Sequence, residues 1–418
     1  MGTSSRCGVF TKNTSGTEPV DQTVAFAGDF TPKFLMLWTD GQTAEATSTT
    51  HGISYSQGWT DGTNEYCATY CDEDAVDTTN TSRQISNTKL LKIRDDQATL
   101  IAECDFKSWA NNEFVVTWTE NTDTSATRIY YEVIGGDDIT KVECGDFNAA
   151  TAGGPTQTVS LTDSALVPDV AMFMCTGQTS FNSEGNDAQL CIGFGTGSGA
   201  NAGICYTSDH GVDTSVVDRR NSTVYSLTLN QIGGSRDGDG GIGAFNTGAF
   251  DIAWNNKFNG TYIIAYTVIE GGTWDTVSVE SKLSDGSQNI STSVTTPNGA
   301  IFMSCQTPTE PTGTDGTIQL GASDDDTVIS NVMAGNYASD GDGTTLTSSF
   351  NDDALCIKMI NEAGTDRGNA ALITWGSSQI TLDWNGTDAQ NRDIHMLIFD
   401  VQDSGAAGFA YTQGFVTG

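Results

Sequence analysis

Basic residues are scarce in this 418-residue chain: 18 Lys and Arg stand against 53 Asp and Glu, a formal net charge of −35. That balance argues against a nucleic-acid partner, because phosphate recognition needs clustered cations that displace counterions. It argues equally against an anionic membrane surface, which attracts polybasic segments. Proline is rare, with 7 residues, and histidine rarer, with 3. No apolar run approaches the roughly 18 residues of a membrane-spanning helix. The longest, such as Phe34-Leu35-Met36-Leu37-Trp38, have the length of buried strands. Met1 to Thr23 shows no basic segment followed by an apolar one, so no secretory signal is expected. The expectation is a soluble protein, or one that reaches its place by assembly.

The strong net charge does not mean disorder here. Charged residues total 17% and hydrophobic ones 37%, with 8 Trp and 18 Phe available for cores. The 47 Gly, together with abundant Thr, Ser, Asn and Asp, suggest short strands joined by tight turns. Ten cysteines are too few for a disulfide scaffold. Most lie inside apolar strand patterns, as in Phe173-Met174-Cys175, where a free thiol behaves as a small hydrophobe. Cys67 and Cys71 form the one close pair, with no second pair or His nearby to complete a zinc site.

The most informative feature is self-similarity at a period of about 130 to 137 residues. Phe114-Val115-Val116-Thr117-Trp118, Phe250-Asp251-Ile252-Ala253-Trp254 and Ile380-Thr381-Leu382-Asp383-Trp384 recur with their Trp residues 136 and 130 positions apart. Each is followed by a second apolar segment, beginning near Arg128, Tyr262 and Asp393, and the pairs read as hairpins with one buried face. Gln22-Thr23-Val24, Gln157-Thr158-Val159 and Gln288-Asn289-Ile290 mark the beginnings. About eight short strands per unit suggest an antiparallel sandwich of jelly-roll type. The expected architecture is all-β: three tandem antiparallel β-sandwich domains from an internal triplication, at 1–143, 144–279 and 280–418. The segment Phe409 to Val416 is expected to complete the last sandwich or to exchange with a neighbour.

Chemistry is harder to find. His395 lies in an alternating strand, the pattern of a structural residue, and His51 and His210 have no nucleophile at motif spacing. Acid-rich stretches at Asp72-Glu73-Asp74, Asp324-Asp325-Asp326, Asp237 to Gly241 and Asp340 to Gly343 offer oxygens to an incidental Ca²⁺, but none completes a spaced ligand loop. The glycine-rich run around Ser198 lacks the Lys-Ser/Thr of a phosphate loop. No cofactor and no enzymatic activity are expected. The remaining candidates lie between positions 55 and 70: Tyr55, Trp59, Asp61, Asn64, Tyr66 and Tyr70. As exposed loop residues they would stack on a glycan; packing in a core or against a partner is the preferred alternative.

The first unit carries Phe30-Thr31-Pro32-Lys33-Phe34-Leu35-Met36, then Gly52 to Asn64 with Asp61-Gly62-Thr63-Asn64, then Asp105-Phe106-Lys107-Ser108-Trp109, Trp118-Thr119 and Gly135-Gly136-Asp137. These motifs resemble a repeated unit of structural proteins from tailed bacteriophages, many of them from marine bacteria. The second unit keeps Pro168, Phe250, Trp254 and Gly271-Gly272, and the third lacks the double glycine. The resemblance implies a virion component, present in multiple copies beside major capsid or tail proteins, that decorates or reinforces the head or tail surface. Three similar domains in one chain would imitate a trimer and suit a threefold or quasi-threefold position. The alternative is a receptor-binding tail adhesin that recognises host surface glycans.

Overall fold

In a computed structural model, every element of the chain is a β-strand, with no helix among the described residues. The structure describes residues 2–403 apart from 16, 198, 308–312, 326–328, 345 and 387. The segment Phe409 to Val416, Ser198 and Asp326 therefore lie outside the described residues.

One strand order occurs three times. The first large antiparallel sheet runs Ser5–Thr11, Arg128–Gly135, Pro32–Thr39, Ile53–Thr60, Glu65–Asp72, Thr81–Ser86. The second runs Ile139–Asn148, Ile263–Gly271, Val170–Cys175, Ala188–Thr196, Asn201–Ser208, Val217–Ser222. The third runs Thr273–Glu280, Asp393–Asp400, Gly299–Ser304, Gly316–Asp324, Ser330–Ala338, Thr347–Asp352. Each gains a seventh, two-residue strand from another unit, described below. Positions 143/144 and 279/280, drawn as domain limits from sequence, lie within Ile139–Asn148 and Thr273–Glu280, which belong wholly to the second and third sheets.

A four-stranded sheet backs each large one; in unit 1 its order is Val20–Ala25, Glu113–Asn121, Leu100–Ala110, Leu91–Arg94. The two layers enclose a private core, in which Leu35 and Leu37 of the large sheet meet Phe114, Val116 and Trp118 of the small one. Side chains alternate across a strand, so Phe34, Met36 and Trp38 must point the other way, and they enter a second core. Burial on both faces is why Pro32–Thr39 reads as a continuous apolar run. The small sheets keep one wetter face and a clean alternation.

The hairpin reading of the recurring pairs is corrected. Glu113–Asn121 pairs with Leu100–Ala110 and Val20–Ala25, whereas Arg128–Gly135 pairs with Ser5–Thr11 and Pro32–Thr39. Between them the chain crosses from the small sheet to the large one. Alternation reports how many faces are buried and not which strand lies alongside, so a crossover and a hairpin look alike in sequence.

Two repeated signals have a direct structural cause. The indole N–H of Trp118 donates to Gln22 Oε1 at 2.8 Å, that of Trp254 to Gln157 Oε1 at 3.1 Å, and that of Trp384 to Gln288 Oε1 at 2.7 Å. Each Gln also donates to a main-chain oxygen at the end of its unit's first large-sheet strand: Thr11, Asn148 or Glu280. The motif is thus a latch between the two layers. A bulge in each small sheet is held similarly, by Asn201 on Ile242 and by Asn331 on Leu372, while Glu65 does this in unit 1 through the Phe106 N–H.

Candidate functional site: the seam between the three large sheets

The region between residues 55 and 70 belongs to the strands Ile53–Thr60 and Glu65–Asp72 and their connecting turn. Tyr55 and Tyr70 are fully buried, Trp59 is 1% exposed and Tyr66 8%. The strands carrying them lie mid-sheet and not in a loop, and the face they present is covered by the other two units. All four belong to a single hydrophobic core assembled from all three large sheets. No sugar can stack on them there. Asp61 and Asn64 stay at the turn, where Asp61 Oδ1 accepts the N–H groups of Thr63 and Asn64, each at 2.7 Å. Asp61 also reaches across the seam, its Oδ2 accepting the Cys144 N–H at 2.8 Å.

Strand register defines which residues are equivalent around the centre. Tyr70 faces Tyr55 across its hairpin, Tyr206 faces Leu190, and Asn336 faces Ile318, each at the same rung of its sheet. These three equivalents meet. The Tyr70 and Tyr206 rings stack with centroids 4.8 Å apart, and the Tyr70 hydroxyl donates to Asn336 Oδ1 at 2.7 Å. Two residues further along each strand stand Asp72, Ser208 and Ala338, and Tyr206 donates its hydroxyl to Asp72 Oδ2 at 3.0 Å. Burial, assisted by the nearby Asp209 charge, pushes Asp72 up to about 7. Tyr66 crosses the same seam to donate to Asp146 Oδ1 at 2.9 Å.

The perimeter closes in one rotational sense. Gly185–Asn186 of unit 2 pairs with Arg83 and Ser82 at the edge of the first large sheet. Gly313–Thr314 of unit 3 pairs with Asp218 and Arg219 at the edge of the second. Thr47–Ser48 of unit 1 pairs with Ser349 and Phe350 at the edge of the third. All three donors come from the same place in their units, between the third and fourth strands of the large-sheet order. Side chains reinforce each exchange. Arg94 pairs with Glu184 at 2.7 Å, Asp340 Oδ1 accepts the Val217 N–H at 2.9 Å, and buried Asp40 Oδ2 accepts Asn351 Nδ2 at 2.9 Å. Unpaired edges invite aggregation, and this exchange covers them.

The unit junctions also converge. Gly136 and Gly272 both have positive φ, and a Cβ on Gly136 would sit 2.2 Å from Ser4 Oγ while one on Gly272 would sit 2.9 Å from Val401 Cγ1. At the third junction Gly2–Thr3 pairs with Gln402–Asp403, a non-covalent contact where the other two are covalent. The double glycines noted in sequence answer to this crowding.

The candidate reactive groups are sequestered. All ten cysteines are free and buried, with burial raising Cys67 to about 12 and Cys71 to about 11. His395 is fully buried, bonds Ser278 Oγ through Nδ1 at 2.8 Å, and is lowered to about 4 by desolvation. The acid stretches serve as acceptors: Asp324 for the Cys7 N–H, Asp237 for Asn259 N–H, Asp239 for Arg236. Among the described residues, the group of three carboxylates with oxygens within 4.8 Å of one another is Glu45, Asp352 and Asp353. Sequence gave no sign of it, since strand exchange creates it. There a hydrogen bond to Asp353 holds Glu45 up to about 7, and Arg128 pairs with Asp353 at 2.8 Å. His51, Arg94, Asp95, Asp96 and Asp123 line a cavity of about 200 Å³, below the roughly 300–1,000 Å³ of typical ligand clefts. No family model and no curated protein matches the chain.

Proposed function

We propose that the chain is a non-enzymatic structural protein of a bacteriophage virion, decorating or reinforcing the head or tail surface as a single-chain counterpart of a trimer. The observation that carries this reading is the cyclic donation of edge strands, which ties three similar units together around a common core. Such an arrangement matches the symmetry of a threefold or local threefold position while occupying it with one polypeptide. Its aromatic and thiol inventory is spent on packing, which suits a part that must persist rather than react. The excess of 35 negative charges favours solubility and contact with basic surfaces on an underlying shell. The partners on this reading are major capsid or tail proteins, and the location is the virion.

The test is quantitative mass spectrometry of purified virions. Hundreds of copies, in a number compatible with threefold or local threefold positions, are expected. A handful of copies, or none, overturns the decoration reading and leaves the adhesin as the next to examine.

A further inference from the structure

Unit 1 contains a buried amine where the other units have none. Lys12 follows the strand Ser5–Thr11, and its backbone N–H donates to Thr127 O. Ala149 and Ser281 occupy the same place in the other units, with the equivalent bonds to Tyr262 O and Arg392 O. Lys12 is only 1% exposed, as is Asn121, the last residue of Glu113–Asn121. Lys12 Nζ touches Asn121 Oδ1 at 2.5 Å. The first strand of the large sheet and the central part of the small one therefore end on an amine and a carboxamide in direct contact, away from water.

The carboxamide is held in one orientation. Asn121 Nδ2 donates to Asn13 O at 2.9 Å and Ser15 O at 2.8 Å, which turns the carbonyl towards Nζ. Its backbone N–H donates to Glu18 Oε1. Nζ has main-chain oxygens of Asp123 at 2.6 Å and Asn13 at 3.4 Å as further acceptors, and the Trp118 ring centroid lies 6.0 Å away. Desolvation lowers the Lys12 pKa against the opposing pull of Asp123, which favours the neutral amine that carries a lone pair. An amine touching the amide oxygen is adjacent to the amide carbon, and juxtaposition of this kind gives large effective molarities once the reacting atoms come within roughly 3–3.5 Å.

We propose that Lys12 and Asn121 form an intramolecular isopeptide bond that fastens the two layers of unit 1 covalently. The neutral Nζ attacks Asn121 Cγ and the Nζ–Cγ bond forms. The Cγ–Nδ2 bond then breaks, and Nδ2 departs as ammonia after receiving a proton from Nζ. The Glu18 carboxylate accepts the Asn121 backbone N–H beside the reacting carboxamide. Nothing is oxidised or reduced, and the products are a neutral amide and ammonia. The inference is independent of the virion reading. In unit 2 the corresponding positions hold Ala149 and Lys257, so the bond is particular to unit 1.

Intact-mass spectrometry of the full chain tests this directly. The expected mass is lower than the sequence mass by one ammonia. Trypsin digestion of the unfolded chain should leave Lys12 uncleaved and yield a branched peptide joining 7–33 to 108–128. The Lys12→Arg chain should keep its full sequence mass. A wild-type chain at full sequence mass, releasing 7–12 and 108–128 as separate peptides, overturns the proposal and leaves Lys12 as a buried ammonium held by its three oxygens.

Discussion

The latch positions of the private cores and the innermost positions of the common core are filled differently. Around the latch, equivalent positions hold similar residues: Trp118, Trp254 and Trp384, or Val116, Ile252 and Leu382. At two positions of the common core the equivalents differ in size: Tyr66, Ala202 and Val332, and Trp59, Phe194 and Ala322. The reason is geometric. A private position sees the same neighbours in every unit, so one side chain serves three times. Around the centre the three equivalents compete for one space, and close packing requires their volumes to complement one another. Tyr70, Tyr206 and Asn336 show this directly, since two rings stack and the third member is an acceptor.

If the common core couples the units, the described body should unfold in one calorimetric transition despite its three repeats. Tyr206→Ala should then cost about 3–5 kcal/mol and lower that single transition as a whole. Separate melting of one unit, with the others unaffected, would break the comparison.

A second effect depends on pH. Asp72 is held up to about 7 in the folded chain against an ordinary 3.8, so the folded state binds its proton more tightly. This contribution is fully present below about pH 4 and is lost as pH rises through about 7, by about 4 kcal/mol at most. Glu65, pushed up to about 7 by burial, adds a slope of the same sign. Denaturation midpoints measured from pH 4 to 8 should therefore fall, and Asp72→Asn should flatten the curve and be the more stable chain at pH 8. An unchanged slope in that variant would remove Asp72 from the account.

Smaller again is Tyr70→Phe, which leaves the Asn336 oxygen without its donor in the common core. It should cost about 1–3 kcal/mol, read as a shift in urea midpoint with unchanged slope. Gln157→Ala removes one latch from a private core, where Trp254 Nε1 is near the solvent side. About 1 kcal/mol is expected, and a larger loss than for Tyr70→Phe would reverse the ranking of the two cores.

Much of the architecture was legible in the sequence, for reasons the private cores make plain. Repeated Trp and Gln residues recur because each latch is the same local object, and the apolar run at Phe34 to Trp38 reflects two buried faces. The site between Tyr55 and Tyr70 was legible only as a concentration of aromatics. What distinguished a buried seam from an exposed binding face was the arrival of units 2 and 3, carried by residues more than a hundred positions away.

Composition and periodicity alone determined an acidic, all-β chain with a thrice-repeated pattern, because strand alternation and turn chemistry are local properties. The tertiary structure decided which strands pair, where the chain crosses between layers, and that Gly185–Asn186, Gly313–Thr314 and Thr47–Ser48 leave their own units. It also brought Lys12 onto Asn121. Two-residue edge strands have no periodicity to read, and contacts between distant segments follow from the shape of the whole molecule, which no local pattern encodes.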